Sequence, residues 1–177
     1  MQQRTLGKSL TLLAMCVAIG FVAQAAPPAD NPAADKPPSD KQVIVVRRDA
    51  APPVRGPAER FTGEAHVDSR FNGAKGTRVT GAIVSFAPGA RTAWHTHPHG
   101  QLLVVVSGCG WVQQEGGARE AIRAGDMIWT PAGVKHWHGA AADSALSHAA
   151  IIERVDAQEV TWMEKVSDQE YGGQCAF

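Results

Sequence analysis

Two histidine pairs, His95-Thr96-His97 and His136-Trp137-His138, carry the chemistry open to this sequence. Residues two apart on an extended chain point to one face, so each pair aims its imidazoles together. Imidazole is the commonest metal-ligating side chain. Of the seven histidines, six fall between His95 and His148. Isolated core or surface histidines do not cluster this way. Gln101 shares the parity of His95 and His97, but Pro98-His99-Gly100 reads as a turn. Gln101 therefore starts the next strand, folded back beside the pair. A metal held inside a small β-barrel is the expectation.

The elements that must position these residues are short strands between glycine turns. Arg78 to Phe86 is a strand, and Pro88-Gly89 turns it into the first histidine pair. From Gln101 to Ser107, Gln101, Leu103 and Val105 share one face; Leu102, Val104 and Val106 share the other, which must also be covered. Gly108-Cys109-Gly110 reads as a tight spot or bulge. Trp111 to Gln114, Ala121 to Arg123, Met127 to Thr130 and Val134 to His138 follow. Ala145 to Arg154 is the last strand, with His148, Ala150 and Ile152 on one face. His66 to Arg70 is a further strand. Such spacing fits an all-β sandwich or barrel. Val43 to Val46 reads as an apolar strand covered on both faces, at an edge or in a dimer contact. Ser167-Asp168-Gln169-Glu170 fits a capping box, so a short C-terminal helical segment is expected, with a turn near Trp162.

These residues carry a family resemblance. Gly89, His95, His97, Gln101 and Gly108, separated by five, one, three and six residues, resemble the first cupin motif, with Gln101 where Glu is usual. Gly125, Pro131, Gly133 and His136, separated by five, one and two residues, resemble the second, with Ala140 where Asn is usual. The wider stretch from Phe61 to Tyr171 is similar to the bacterial cupin hydroxynitrile lyases of the (R)-mandelonitrile lyase type. The resemblance implies a single-domain jelly-roll β-barrel and a divalent metal, most readily Mn²⁺, with Fe²⁺, Zn²⁺, Co²⁺ or Ni²⁺ also suited to N/O ligation. It implies His95, His97, Gln101 and His136 as ligands and cyanohydrin cleavage or formation as the reaction.

Three imidazoles and an amide oxygen form a neutral set, which leaves the ion its full +2 charge. His148 is the candidate catalytic base, or else a histidine that orients a ligand. His138 is read as a substrate contact or a ligand support, His99 as a solvated turn residue and His66 as an ordinary polar residue. Ala82, Val84, Leu103, Ala150 and Ile152 form the expected pocket wall, apolar and suited to an aromatic or aliphatic aldehyde. Two other readings compete: an Fe²⁺ cupin dioxygenase, and a non-catalytic periplasmic protein that binds a metal or small molecule.

The chain of 177 residues carries 17 basic and 17 acidic residues, so no nucleic-acid footprint is visible. Residues 1–25 read as a signal peptide, with Arg4 and Lys8 before an apolar core and Ala23-Gln24-Ala25 as the cleavage site. Cys16 is a second, lipid-attachment alternative. Cleavage leaves no stable membrane span and places the protein in the periplasm or outside the cell. Residues 26–41, rich in Pro and Ala, read as a disordered linker, and 42–177 as the cupin domain. A homo-oligomer and a small-molecule substrate are expected. Cys109 and Cys175 have no spacing that argues for a bond, and the reading leans to none.

Overall fold

Residues 42–73, 76–154, 159–172 and Gln174 are described by the computed structural model. The readings for 1–25 and 26–41 lie outside them. Glycine turns divide the described chain into twelve strands. These are β1 (Val54–Arg55), β2 (Phe61–Thr62), β3 (Ala65–Asn72), β4 (Val79–Phe86), β5 (Arg91–Thr92), β6 (His95–Thr96), β7 (Gln101–Gln114), β8 (Arg119–Arg123), β9 (Met127–Thr130), β10 (His136–Ala140), β11 (Leu146–Glu153) and β12 (Thr161–Trp162). All pairings are antiparallel, in the order β1-β3-β4-β11-β7-β10-β5-β2, with β8 and β9 also on β7 and β6 between β10 and β12.

β7 holds the barrel together. Its first residues pair with β11 and β9, its last with β10 and β8. The sequence reading broke this strand at Gly108. It continues, because Gly108 adopts φ +75°, a left-handed conformation that favours glycine. A Cβ there would lie 1.8 Å from the Ala145 carbonyl oxygen, and one at Gly110 would lie 2.0 Å from that of Gly139. The two glycines let β7 pass from β11 to β10 without steric conflict.

The inward face follows the expected parity. Val105 lies opposite His148, Leu103 opposite Ala150, and Gln101 opposite Ile152. On the far side of β11 these meet Val84, Ala82 and Thr80. Val106 is the extra residue of a bulge between Ser147 and His148, which returns His148 to the inner face. Phe61, Val84, Phe86, Val105 and Leu146 form the main core. Each such side chain contributes about 1.5–3 kcal/mol by burial.

A second cluster of Trp94, Trp137, Val166 and Tyr171 covers the back of β10. It brings in helix α1 (Asp168–Tyr171), which starts at the expected capping box: the Glu170 amide donates to the Ser167 hydroxyl at 3.2 Å. A four-residue helix does not hold itself. Tertiary bonds fix it: Tyr171 donates its hydroxyl to the Ala140 carbonyl at 2.7 Å, and buried Arg91 bonds Asp168 at 2.6 Å and the Val166 carbonyl at 3.0 Å.

Three readings change. Val43 to Val46 form no strand and stand exposed, Val43 by 88%; an apolar run becomes a strand only where an edge pairs with it, and here it joins no ladder. Trp162 lies in β12, not a turn, because β6 supplies that edge. Cys109 is disulfide-bonded; Cys16 and Cys175 both lie outside the described residues.

Candidate metal centre

The ladder between β6 and β10 sets His95 directly opposite His136, with ring centroids 4.3 Å apart. His97 follows two residues on, its ring 5.2 Å from His95 and 5.8 Å from His136. The turn at Gly100, φ +84°, brings Gln101 back against them. Gln101 Oε1 lies 3.0 Å from His136 Nε2. His138 sits beside the group, 5.2 Å from His95. His95, His136 and His138 hold ring nitrogens within 4.8 Å of one another, a three-imidazole group fit for a metal ion.

Backbone carbonyls fix the tautomers. Nδ1 of His95 faces the Ala93 carbonyl at 2.9 Å, that of His97 the Glu159 carbonyl at 2.6 Å, and that of His136 the Val134 carbonyl at 3.0 Å. A carbonyl only accepts, so each Nδ1 carries the proton and each Nε2 keeps a lone pair. His97 Nε2 is buried without a partner. His136 Nε2 faces another acceptor, Gln101 Oε1. Electron-rich atoms brought this close repel unless a cation draws both. The donor set therefore fits a divalent metal, and pinned Nδ1–H groups are the usual support for metal-bound imidazoles.

His138 and His148 are arranged differently. His148 Nε2 and His138 Nδ1 share one proton at 3.1 Å, while His138 Nε2 and His148 Nδ1 are buried and unpartnered. Burial dominates the electrostatics. It pushes the pKa of His95 and His138 well below the ordinary value, and that of His97 below it. His136 and His148 are pushed down to about 4, again chiefly by burial. All five are therefore neutral at pH 7, the form a metal requires.

A cupin domain model matches residues 82–151. The chain is 55% identical over 117 residues to an (R)-mandelonitrile lyase of Granulicella tundricola, covering 66% of this chain and 89% of that protein. The chain belongs to the cupin family. A cupin-like protein from Thermotoga maritima, 36% identical, superposes with a TM-score of 0.63 over 66% of this cupin and 89% of that chain. A cupin-2 domain protein from Rhodospirillum rubrum, 17% identical with a TM-score of 0.56 over 76% and 87%, shares the fold alone.

In this cupin the imidazoles open onto a cavity of about 360 Å³, lined by His95, His97, Gln101 and His138. His136 backs a second cavity of about 470 Å³, lined mainly by residues of β7, β8 and β9. His148 lines neither; it is fully buried against Phe86, its ring 5.5 Å away, and reaches the cavity only by way of His138. Of the expected wall, Ala82, Val84, Ala150 and Ile152 line the cavity and Leu103 is fully buried. Thr92 lines it too and accepts from the His138 amide at 3.2 Å. Arg91 turns to the back of β10, and Lys135 bonds Glu115 and Glu164 at 2.7 and 2.5 Å. His99 stands exposed in its turn, and His66 lies 3.8 Å from Glu64. Sequence reasoning missed Trp162, whose ring stacks 4.8 Å from His95, and the rim arginines Arg60 and Arg70. These come from distant segments, and no spacing announces them.

Proposed function

We propose that this cupin is a metal-dependent hydroxynitrile lyase, cleaving or forming cyanohydrins of apolar aldehydes. The observation that carries this reading is the convergence of neutral imidazoles and Gln101 on an apolar cavity, beside a buried imidazole pair. Its likeness to an (R)-mandelonitrile lyase adds weight. His95, His97, Gln101 and His136 are the proposed ligands of one divalent ion, most readily Mn²⁺. The lone pairs on His95, His97 and His136 and the facing Oε1 of Gln101 support that choice over a set built on His138. A bound ion supplies a +2 charge that steadies the alkoxide and the departing cyanide.

The chain's own residues move the proton. Substrate lies against His138, whose Nε2 accepts the hydroxyl proton while its Nδ1–H is shared with His148 Nε2. The carbon–carbon bond then breaks, its pair leaves with cyanide, the carbonyl forms, and the proton returns to cyanide. His148 is thus the base that acts through His138. The low pKa of both keeps the pair neutral and lets it release the proton readily. Ala82, Val84, Ala150 and Ile152 exclude water and seat the aldehyde body.

Export to the periplasm or beyond is part of the proposal. The basic start, apolar core and Ala23-Gln24-Ala25 support it, as does the Cys109 disulfide, since such bonds persist in oxidising compartments. No helix among the described residues is long and apolar enough to cross a membrane. Self-association is also proposed, from Val106, Met127 and Trp129, exposed by 55%, 72% and 62%. Purified protein loaded with Mn²⁺ should release benzaldehyde from mandelonitrile, and metal-stripped protein should not. Failure of loaded protein to do so overturns the reading.

A further inference from the structure

Four ionisable side chains line the same cavity as the histidines: Arg60, Arg70, Arg154 and Glu159; the three arginines are exposed and so stand at its solvent edge. Arg154 is matched. Its Nε donates to Glu159 Oε1 at 2.6 Å and its Nη2 to Asn72 Oδ1 at 3.1 Å. Arg60 and Arg70 are exposed and have no carboxylate partner among the described residues. Among the described residues, two guanidinium charges at this mouth therefore have no paired carboxylate, on a chain whose formal net charge is zero. The cavity below is apolar, with Phe61, Val84, Ala150 and Ile152 in its wall. A neutral cyanohydrin offers these two arginines no charge to pair with.

Trp162 links the two ends. Its ring lies 4.8 Å from the His95 ring and 5.7 Å from the Arg60 guanidinium. A single indole thus spans from the imidazoles to the rim. Trp162 therefore neighbours both the imidazoles and Arg60, and it offers an aromatic surface to a ligand ring placed between the two ends. Guanidinium is planar and takes carboxylates through paired N–H donors.

We propose that this cavity selects aromatic ligands that carry a carboxylate at the end remote from the histidines, held there by Arg60 and Arg70. The reaction on such a ligand rests on the lyase reading above; the binding preference does not. The test therefore uses ligands that cannot be cleaved. Calorimetric titration of the metal-loaded protein should give a dissociation constant for 4-(hydroxymethyl)benzoate on the order of 10-fold below that for benzyl alcohol. Added salt should shrink the gap, because the contact lies at the solvent edge. In the R60Q/R70Q double variant the two ligands should bind alike. Equal affinities in the wild type would overturn the proposal. So would a preference that survives in the double variant, since the carboxylate would then be bound elsewhere, for instance by the metal centre. The cyanohydrin of 4-formylbenzoate, assayed beside mandelonitrile, separates the two readings. If neither is cleaved while the anion preference persists, the lyase reading fails and the binding site stands.

Discussion

Replacing His148 with Ala probes the one imidazole that acts at a distance from the cavity. The side chain is fully buried, and the side chain it bonds is His138, at 3.1 Å. Removal leaves His138 Nδ1 unpaired in a dry interior, a cost of about 1–3 kcal/mol in stability, plus the cavity left beside Phe86. Loss of the relay behind His138 costs up to the worth of a positioned base, on the order of 10²–10⁴ in kcat, or about 2.7–5.4 kcal/mol at 1.36 kcal/mol per tenfold. The proposed ligands keep their pinned Nδ1–H groups, so metal content should hold. The assay is turnover of mandelonitrile at saturating substrate, with elemental analysis of the same sample. Near-wild-type kcat at full metal loading would refute the relay. Metal lost together with activity would make His148 a support of the centre instead.

Further outcomes follow from the same structure. Gly108→Ala should yield little folded protein, since a Cβ at φ +75° would meet the Ala145 oxygen at 1.8 Å; soluble yield and circular dichroism check this. Gln101→Glu should keep the metal but bind cyanide more weakly, read by inhibition, because the added negative charge offsets the ion's. Metal-free protein should lose stability as pH falls. His148 titrates near 4 when folded and near 6.5 when unfolded, so between these values the unfolded chain binds more protons. Its share is full above about 6.5 and declines to none by about 4, a loss on the order of 3 kcal/mol. A melting temperature that stays flat across that window would contradict it.

Much of this could be read from residue order, because period 2 governs strands. The parity of His95 with His97, of Gln101 with Leu103 and Val105, and of His148 with Ala150 carried directly into the inner face. What period 2 cannot tell is depth. His148 and His138 both point inward, yet only His138 meets the cavity, because the Ser147 bulge and the packing of Phe86 set His148 behind it. Continuity was hidden too: Gly108 breaks a local reading of β7 and in three dimensions permits its crossing. The carbonyls of Ala93, Val134 and Glu159 leave no trace in side-chain patterns, although they decide which nitrogen of each histidine is free. Trp162 reaches His95 from 67 positions away by number, which local patterns do not see. Val43 to Val46 has the composition of a strand and lacks the edge.

The most direct test of the central claim pairs elemental analysis with mandelonitrile cleavage on the wild type and a His95→Ala/His97→Ala double variant. The wild type should carry one divalent ion per chain and release benzaldehyde. The variant should carry none and release none, while keeping its β-sheet circular dichroism. A double variant that retains a full equivalent of metal and its turnover would place the centre elsewhere and contradict the account.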